Sequence, residues 1–414
     1  MNVWYIYSME TKWSFIKRYF FLVLFIYLLL LFLPYVSGWS DNLIYFICQS
    51  TGLSDAPIPS SGGCGDRPFH FVSAGFNLVF AFFLALLING LFKSKINFDW
   101  SYRAMLVYIR LFLGSTMMSY GLIKITYTQF PFPNQYLETQ FGDLNPMSLL
   151  WAFMGYSVSY NIFAGLMEFL GGLFLVLSRR TMILGAVTSF GVMLNVFMMN
   201  LCYDVCVKLF SFQLLALSFI LIWQFKDRLL QFFIMNRPVS SLELKDIVPA
   251  KWLKAKNILK VLGIVAYLIY LGYNQYESIT TWSWGKEKAL VEGKYNVDTF
   301  QRYQDGVLLE ASLDSMIWEK CDYNSNYLRA KTETGISFWA EYKLDTLNRV
   351  MEIKPVRDSV YTKMQYTITQ DSLGNKNKLL LSGFYVEDSL SISLSKVNLE
   401  DFKLVRHKLR WVKN

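Results

Sequence analysis

Long apolar runs alternate with short polar stretches over the first two thirds of the chain, and then the period changes. Seven runs reach spanning length, at 19–36, 70–92, 105–127, 158–178, 181–200, 207–225 and 257–275. Each is near the ~20 residues that a bilayer core requires, so the pattern predicts seven transmembrane helices. After Tyr273 the apolar positions alternate with polar ones. "SLSISLSKV" (389–397) puts Leu390, Ile392 and Leu394 on one face of a strand. "YTKMQYTITQ" (361–370) and "KLLLSGFYV" (378–386) flank the turn-rich "DSLGNKN" (371–377), a hairpin signature. The predicted fold class is an all-α polytopic membrane protein with a C-terminal extracytoplasmic antiparallel β domain. Its parts are two N-terminal helices with an external loop (1–100), a four-helix membrane core (101–230), a cytoplasmic loop with the seventh helix (231–275), and the β domain (276–414). "NPMSLLWAFMG" (145–155) is expected to lie as a short helix on the outer interface.

Composition supports the membrane assignment. Of 414 residues, 54% are hydrophobic and 17% charged, against roughly 25% charged in soluble proteins. The net charge of +9 does not indicate nucleic acid, because the cations sit between apolar runs and read as topology signals. Lys12, Lys17 and Arg18 precede the first run; Lys93, Lys95 and Arg103 follow the second; Arg179 and Arg180 follow the fourth. The loop 226–256 carries seven more cations, from Lys226 to Lys256, whereas neither 125–157 nor 200–206 has a Lys or Arg. This bias predicts a multi-pass inner-membrane protein with the lipid bilayer as its first partner, the N-terminus cytoplasmic and the C-terminal domain periplasmic. A cleaved signal peptide is the competing reading of the first run, whose apolar stretch nearly spans a bilayer.

Polar residues inside the runs are the candidate site. Arg110, Gly114, Met117, Gly121 and Lys124 fall at i, i+4, i+7, i+11 and i+14, on one helix face. Asn161, Gly165, Glu168 and Gly172 share a face of the next run, and Thr188, Gly191 and Asn195 a face of the one after. Together they predict a polar seam in which Glu168 pairs with Arg110. An ionisable group at that depth needs a partner or a proton. The pair either sets helix register or lines a cavity for a polar or redox-active ligand, and Lys124 is close enough to the outer surface to snorkel.

"NLCYDVCVKLFSFQLL" (200–215) presses Cys202, Asp204, Cys206 and Lys208 between two apolar runs. Asp204 and Lys208, at i and i+4, can pair with each other or with Lys124. Cys202 and Cys206 are expected to form a local bridge; a redox pair is the sharper alternative, although C-x-x-x-C is not the usual spacing. Cys48 and Cys64 share one external loop and are placed to form a disulfide. With two histidines, His70 and His407, bis-His haem ligation has little support, and no metal-ligand spacing is present. There is no G-x-x-x-x-G-K-[ST] and no G-x-S-x-G, so ATP and serine hydrolysis are unsupported.

"YIRLFLGSTMMSYGLIKI", "FGDLNPMSLLWAFMGYSVSYNIFAGLMEFLGG", "RRTMILGAVTSFGVMLNVFMMN" and "YDVCVKLFS" resemble the DoxX family of four-helix membrane proteins, in the Bacteroidetes type that carries a C-terminal extension. The resemblance implies a four-helix core built from runs three to six. It marks Arg110, Gly121, Lys124, Glu168, Arg180, Asn200, Tyr203, Asp204 and Lys208, and it departs at Cys206, where Pro is expected. The family's name comes from a subunit of a quinone-reducing enzyme. The expected function is therefore a redox-associated or quinone-linked membrane subunit, with a quinone as candidate ligand for Arg110, Lys124, Glu168, Asn195, Tyr203, Asp204 and Lys208. Two alternatives stay open: a non-enzymatic scaffold whose β domain binds an envelope protein, and a small-solute transporter.

Overall fold

The computed structural model describes residues 13–32, 38–53, 65–92, 96–239, 250–281, 291–304, 307–308, 318–324, 327–332, 337–355, 362–370, 377–385 and 388–406. They divide into two compact units, Met1–Gln275 and Tyr276–Asn414.

The first unit is helical. Its elements are α1 (Phe15–Phe32), α2 (Asp41–Ser50), α3 (Pro68–Leu91), α4 (Phe98–Ile125), α5 (Pro146–Tyr156), α6 (Val158–Leu177), α7 (Met182–Cys202), α8 (Lys208–Trp223), α9 (Lys226–Leu229) and α10 (Leu253–Thr281). Six of them, α1, α3, α4, α6, α7 and α10, are long and apolar enough to cross a membrane. They coincide with six of the seven predicted runs. The seventh run, 207–225, yields a helix of 16 residues, ~24 Å at 1.5 Å per residue. A 73° bend separates it from Lys226–Ile234. The bend falls where Lys226, Asp227 and Arg228 interrupt the apolar pattern. The total reaches seven when that bent pair is counted as one span.

Local chemistry sets the helix starts. Asn97 caps α4 by accepting from the Trp100 amide at 3.0 Å. Asn145 caps α5 at the Ser148 amide, 2.7 Å, with Pro146 at the first helical position. Ser157 caps α6. Trp13 donates its indole N–H to Asp99 at 2.8 Å, tying the start of α1 to the start of α4. The apolar core between these helices includes Phe21, Leu28, Ala81, Ala85, Leu113, Leu175, Ala186 and Leu221. "NPMSLLWAFMG" is helical, as predicted, in α5.

The second unit is an antiparallel β-barrel. Its strands are β1 (Gly293–Gln304), β2 (Val307–Leu308), β3 (Trp318–Asn324), β4 (Tyr327–Thr332), β5 (Ser337–Asp345), β6 (Val350–Pro355), β7 (Thr362–Gln370), β8 (Asn377–Tyr385) and β9 (Asp388–Lys396). Each strand from β3 to β9 pairs with the next, and β1 pairs with both β3 and β9, which closes the sheet. β2 extends only the end of β1. The closing register sets Val297 opposite Leu394 and Phe300 opposite Ile392, with a bulge between Val297 and Thr299. Leu328 and Ala330 on β4 and Ile392 and Leu394 on β9 point inward at alternate positions and are fully buried. The predicted hairpin is formed by β7 and β8, with Gln370 opposite Asn377; its turn lies outside the described residues. Closure removes the sheet edges that an open meander leaves exposed.

Candidate functional site

The site grows from a glycine crossing. On α4 and α6, Gly114 faces Gly172 and Gly121 faces Gly165, so the helices run antiparallel with backbones in contact. A Cβ on Gly121 would stand 2.6 Å from the Gly165 carbonyl, and one on Gly172 would stand 2.4 Å from the Gly114 carbonyl. No side chain fits between them, which is the use of small residues in membrane helix pairs.

Each helix then carries a charge three residues past a crossing glycine: Lys124 after Gly121, and Glu168 after Gly165. Side chains of a helix lean toward its N-terminus. In an antiparallel pair the two therefore lean toward each other across the glycines. The Lys124 ammonium donates to Oε1 of Glu168. Both residues are buried, at 6% and 4% exposure. Glu168 Oε2 is buried and has no hydrogen-bond partner among the described residues. Tyr120, on the α4 turn before Lys124, lies within electrostatic reach of Glu168.

This overturns the expected pairing of Glu168 with Arg110. Arg110 donates through Nε (3.1 Å) and Nη2 (2.8 Å) to the carbonyl of Leu175. Leu175 lies seven residues beyond Glu168, ~10 Å along the helix. A cation there satisfies a terminal carbonyl of α6 and the negative end of its dipole. Lys124 does not snorkel, because Glu168 holds it inside.

The α6 face is as predicted, with Asn161, Gly165, Glu168 and Gly172 all buried. Asn161 donates to the Met154 carbonyl at 2.8 Å and the Phe130 carbonyl at 3.4 Å, seating α5 and its loop over the bundle. The α7 face is not as predicted. Gly185, Ala186, Ser189 and Met193 are buried there, whereas Asn195 is exposed. Two residues beyond Met193, it lies about 200° around the helix and outside the seam.

The 200–215 stretch resolves into a tertiary cap. Asp204 takes a left-handed backbone, φ 52°, at the end of α7. Its carboxylate accepts from Lys208 Nζ at 2.7 Å, the expected i, i+4 pair; Lys124 is engaged elsewhere. Asp66, which sequence reading passed over, accepts from the backbone amides of Lys208 (2.7 Å) and Leu209 (3.0 Å). It thus supplies the α8 N-cap from 142 residues away. In the sequence Asp66 reads only as a polar residue before α3, because the amides it serves are remote. Tyr203 is exposed and sits at the C-terminal cap of α7, in the chain reversal.

Cys202 and Cys206 are not joined to each other, contrary to the expected bridge. The reversal at Asp204 leaves Cys202 exposed at the end of α7 and Cys206 half-buried. Cys206 lies instead against the 65–66 segment, where a Cβ on Gly65 would stand 3.6 Å from its carbonyl. Cys48 is buried, and Cys64 lies outside the described residues.

No family model matches the chain, and no solved structure matches it. Over 132 residues it is 33% identical to "Uncharacterized protein YwoB" of Bacillus subtilis (strain 168), a stretch that covers 32% of this chain and 83% of YwoB. Over that stretch the chain belongs to the same family as YwoB.

Proposed function

We propose that this member of the YwoB family is a DoxX-like, quinone-linked subunit of the inner membrane, and that the Lys124–Glu168 pair receives the polar head of the ligand. The supporting observation is the pair itself. A buried carboxylate with one oxygen held by an ammonium and the other without a partner is costly in hydrocarbon. It also offers a donor and an acceptor side by side, which suits a carbonyl or hydroxyl at the end of an apolar molecule. A quinone supplies two-electron, two-proton chemistry at such a head. Lys124 would donate a hydrogen bond to it, and Glu168 would hold or release a proton at Oε2. Neither Arg110 nor Asn195 takes part in this arrangement.

The test is extraction of the purified full-length protein, with bound quinone identified by chromatography and mass spectrometry. Near-stoichiometric quinone that drops severalfold in Glu168→Gln and in Lys124→Met supports the proposal. Equal quinone in all three proteins, or none in any, refutes it.

The scaffold reading also has an observation in its favour. On the outer face of the barrel, exposed Trp339 stacks with Arg329, 5.3 Å from ring to guanidinium, and exposed Tyr327 lies two residues before Arg329 on the same face of β4. Exposed aromatics of this kind are common at protein interfaces. An envelope protein that co-purifies with Glu168→Gln but is lost in Trp339→Ala favours that reading.

We infer that the N-terminus is cytoplasmic and the barrel periplasmic, from the charge bias of the loops and a crossing by α8. A cytoplasm-dependent reporter should work when fused after Arg180 and fail at the C-terminus. Activity at the C-terminus would leave six crossings, with α8 as a re-entrant segment.

A further inference from the structure

Where α8 ends, the chain turns through 73° into Lys226–Ile234. This segment advances at most ~13 Å along its own axis, and at that angle only ~4 Å along the axis of α8. It therefore stays at the depth where α8 stops. Trp223, the last residue of α8, marks that depth. It is 54% exposed, and the Lys226 ammonium lies 4.4 Å from its ring centroid. Tryptophan is enriched at this level, where membrane meets water.

The segment has two faces. Leu229, Leu230, Phe233 and Ile234 recur at i, i+1, i+4 and i+5 and form one; Asp227, Arg228 and Gln231 form another. The apolar face is open, with Leu230, Phe233 and Ile234 47%, 70% and 75% exposed. Phe232 sets its ring edge-on to Phe233 at 4.9 Å and is itself 61% exposed. Asn236 takes a left-handed backbone, φ 48°, and turns the chain back. The Arg237 amide then donates to the Gln231 carbonyl at 2.9 Å, which keeps Arg237 beside the segment. From 226 to 237 the cations are Lys226, Arg228 and Arg237, and the one acid is Asp227.

We propose that Lys226–Arg237 lies in the plane of the membrane surface as an anchor for anionic lipid. Its apolar face sinks to the level of the upper acyl chains, and Lys226, Arg228 and Arg237 meet lipid phosphates. Open apolar and aromatic side chains beside a basic polar face are the composition of interfacial helices. The bilayer is the partner because α8 delivers the segment to the hydrocarbon boundary and the bend holds it there. By the charge bias of the loops this is the cytoplasmic leaflet, whose anionic lipids supply a negative surface potential. The anchor rests on the membrane-spanning reading and is independent of any ligand at Lys124–Glu168.

Spin labelling of the full-length protein in vesicles tests it. The five native cysteines are replaced by alanine, and a nitroxide is attached in turn at Phe233→Cys, Gln231→Cys and Val265→Cys, the last near the middle of α10. Collision with oxygen reports lipid, and collision with a water-soluble nickel chelate reports solvent. In phosphatidylcholine vesicles containing phosphatidylglycerol, the label at 233 should meet oxygen and the label at 231 nickel. Lys226→Gln, Arg228→Gln and Arg237→Gln should lower the ratio of lipid-docked to solvent-exposed label at 233 by about fivefold for each cation removed. Omitting phosphatidylglycerol should lower it likewise. Nickel access at both 231 and 233 overturns the anchor. Oxygen access at both makes the segment part of a span or a re-entrant loop and overturns it too. Docking at 233 that ignores phosphatidylglycerol overturns the anionic surface as the partner. Nickel access at 265 refutes the membrane reading and the anchor with it, whereas lipid at 265 with solvent at 233 refutes the anchor alone.

Discussion

Replacing Lys124 by Met removes the one partner that the described residues give a carboxylate in the middle of the bundle. The side chains of Lys124 and Glu168 are 7% and 5% exposed, so the ~0–1 kcal/mol typical of surface pairs does not apply. Breaking a buried pair costs about 3–5 kcal/mol. Lys124→Met should therefore lose about 3–5 kcal/mol at pH 7. Lys124→Met combined with Glu168→Met removes both charges and should return to within about 1 kcal/mol of wild type or exceed it. Arg110→Met should lose about 1.5–3 kcal/mol from its charged hydrogen bonds to Leu175, and that loss should add to the loss from Glu168→Met. The assay is reversible unfolding in mixed micelles followed by tryptophan fluorescence, arranged as two double-mutant cycles. Coupling below about 0.5 kcal/mol between positions 124 and 168, or larger coupling between 110 and 168, would refute this account of the seam.

Four other outcomes are expected. Gly121→Ala and Gly172→Ala force the crossing apart and should each cost about 1–3 kcal/mol. Gly191→Ala, with nothing within 4 Å of its Cβ, should stay within about 0.5 kcal/mol, as melting curves in detergent would show. Asp66→Ala uncaps α8 and should cost about 0.5–2 kcal/mol, with faster hydrogen exchange at the Lys208 and Leu209 amides; unchanged exchange would remove the tertiary cap. Iodoacetamide should label exposed Cys202 in the native protein but leave Cys321 unmodified until the barrel unfolds, because burial pushes the Cys321 thiol well up; mass spectrometry reads both. In the barrel, burial raises Tyr295 to about 12 and Tyr323 and Tyr342 higher still. A group raised on folding contributes stability that is full below its unfolded value near 10 and is lost as pH rises through the folded value. The barrel should therefore melt cooperatively as pH climbs from 10 toward about 12, with a step in phenolate absorbance; smooth ionisation of every tyrosine near pH 10 would contradict the buried positions.

The helical part shows why some residues were legible and others were not. Asn161, Gly165 and Glu168 share one buried face of α6, as the 3.6-residue period predicts from their spacing. The partner of Glu168 does not follow from spacing, since Arg110 and Lys124 occupy the same face of α4 and only the register of α4 on α6 chooses between them. Contact of Gly121 with Gly165 makes that choice, and the lean of side chains toward each N-terminus completes it. Asn195 was misplaced for a related reason. A polar residue in an apolar run reads as inward, but on α7 the small residues Gly185, Ala186 and Ser189 are the ones that approach α6.

Apolar run length and the shift to alternation after Tyr273 specify the two-part plan from sequence alone. These are local quantities, read from helix length and the strand period. Three features were decided only in three dimensions: the Asp66 cap reaching across 142 residues, the Lys124–Glu168 pair, and the closure of β1 on β9. Each joins groups far apart in the chain, and no periodicity specifies which distant partner completes a hydrogen bond or an ion pair. Packing decided among chemically equivalent candidates, because a backbone contact at two glycines tolerates one register, and a strand edge is satisfied only when another strand reaches it.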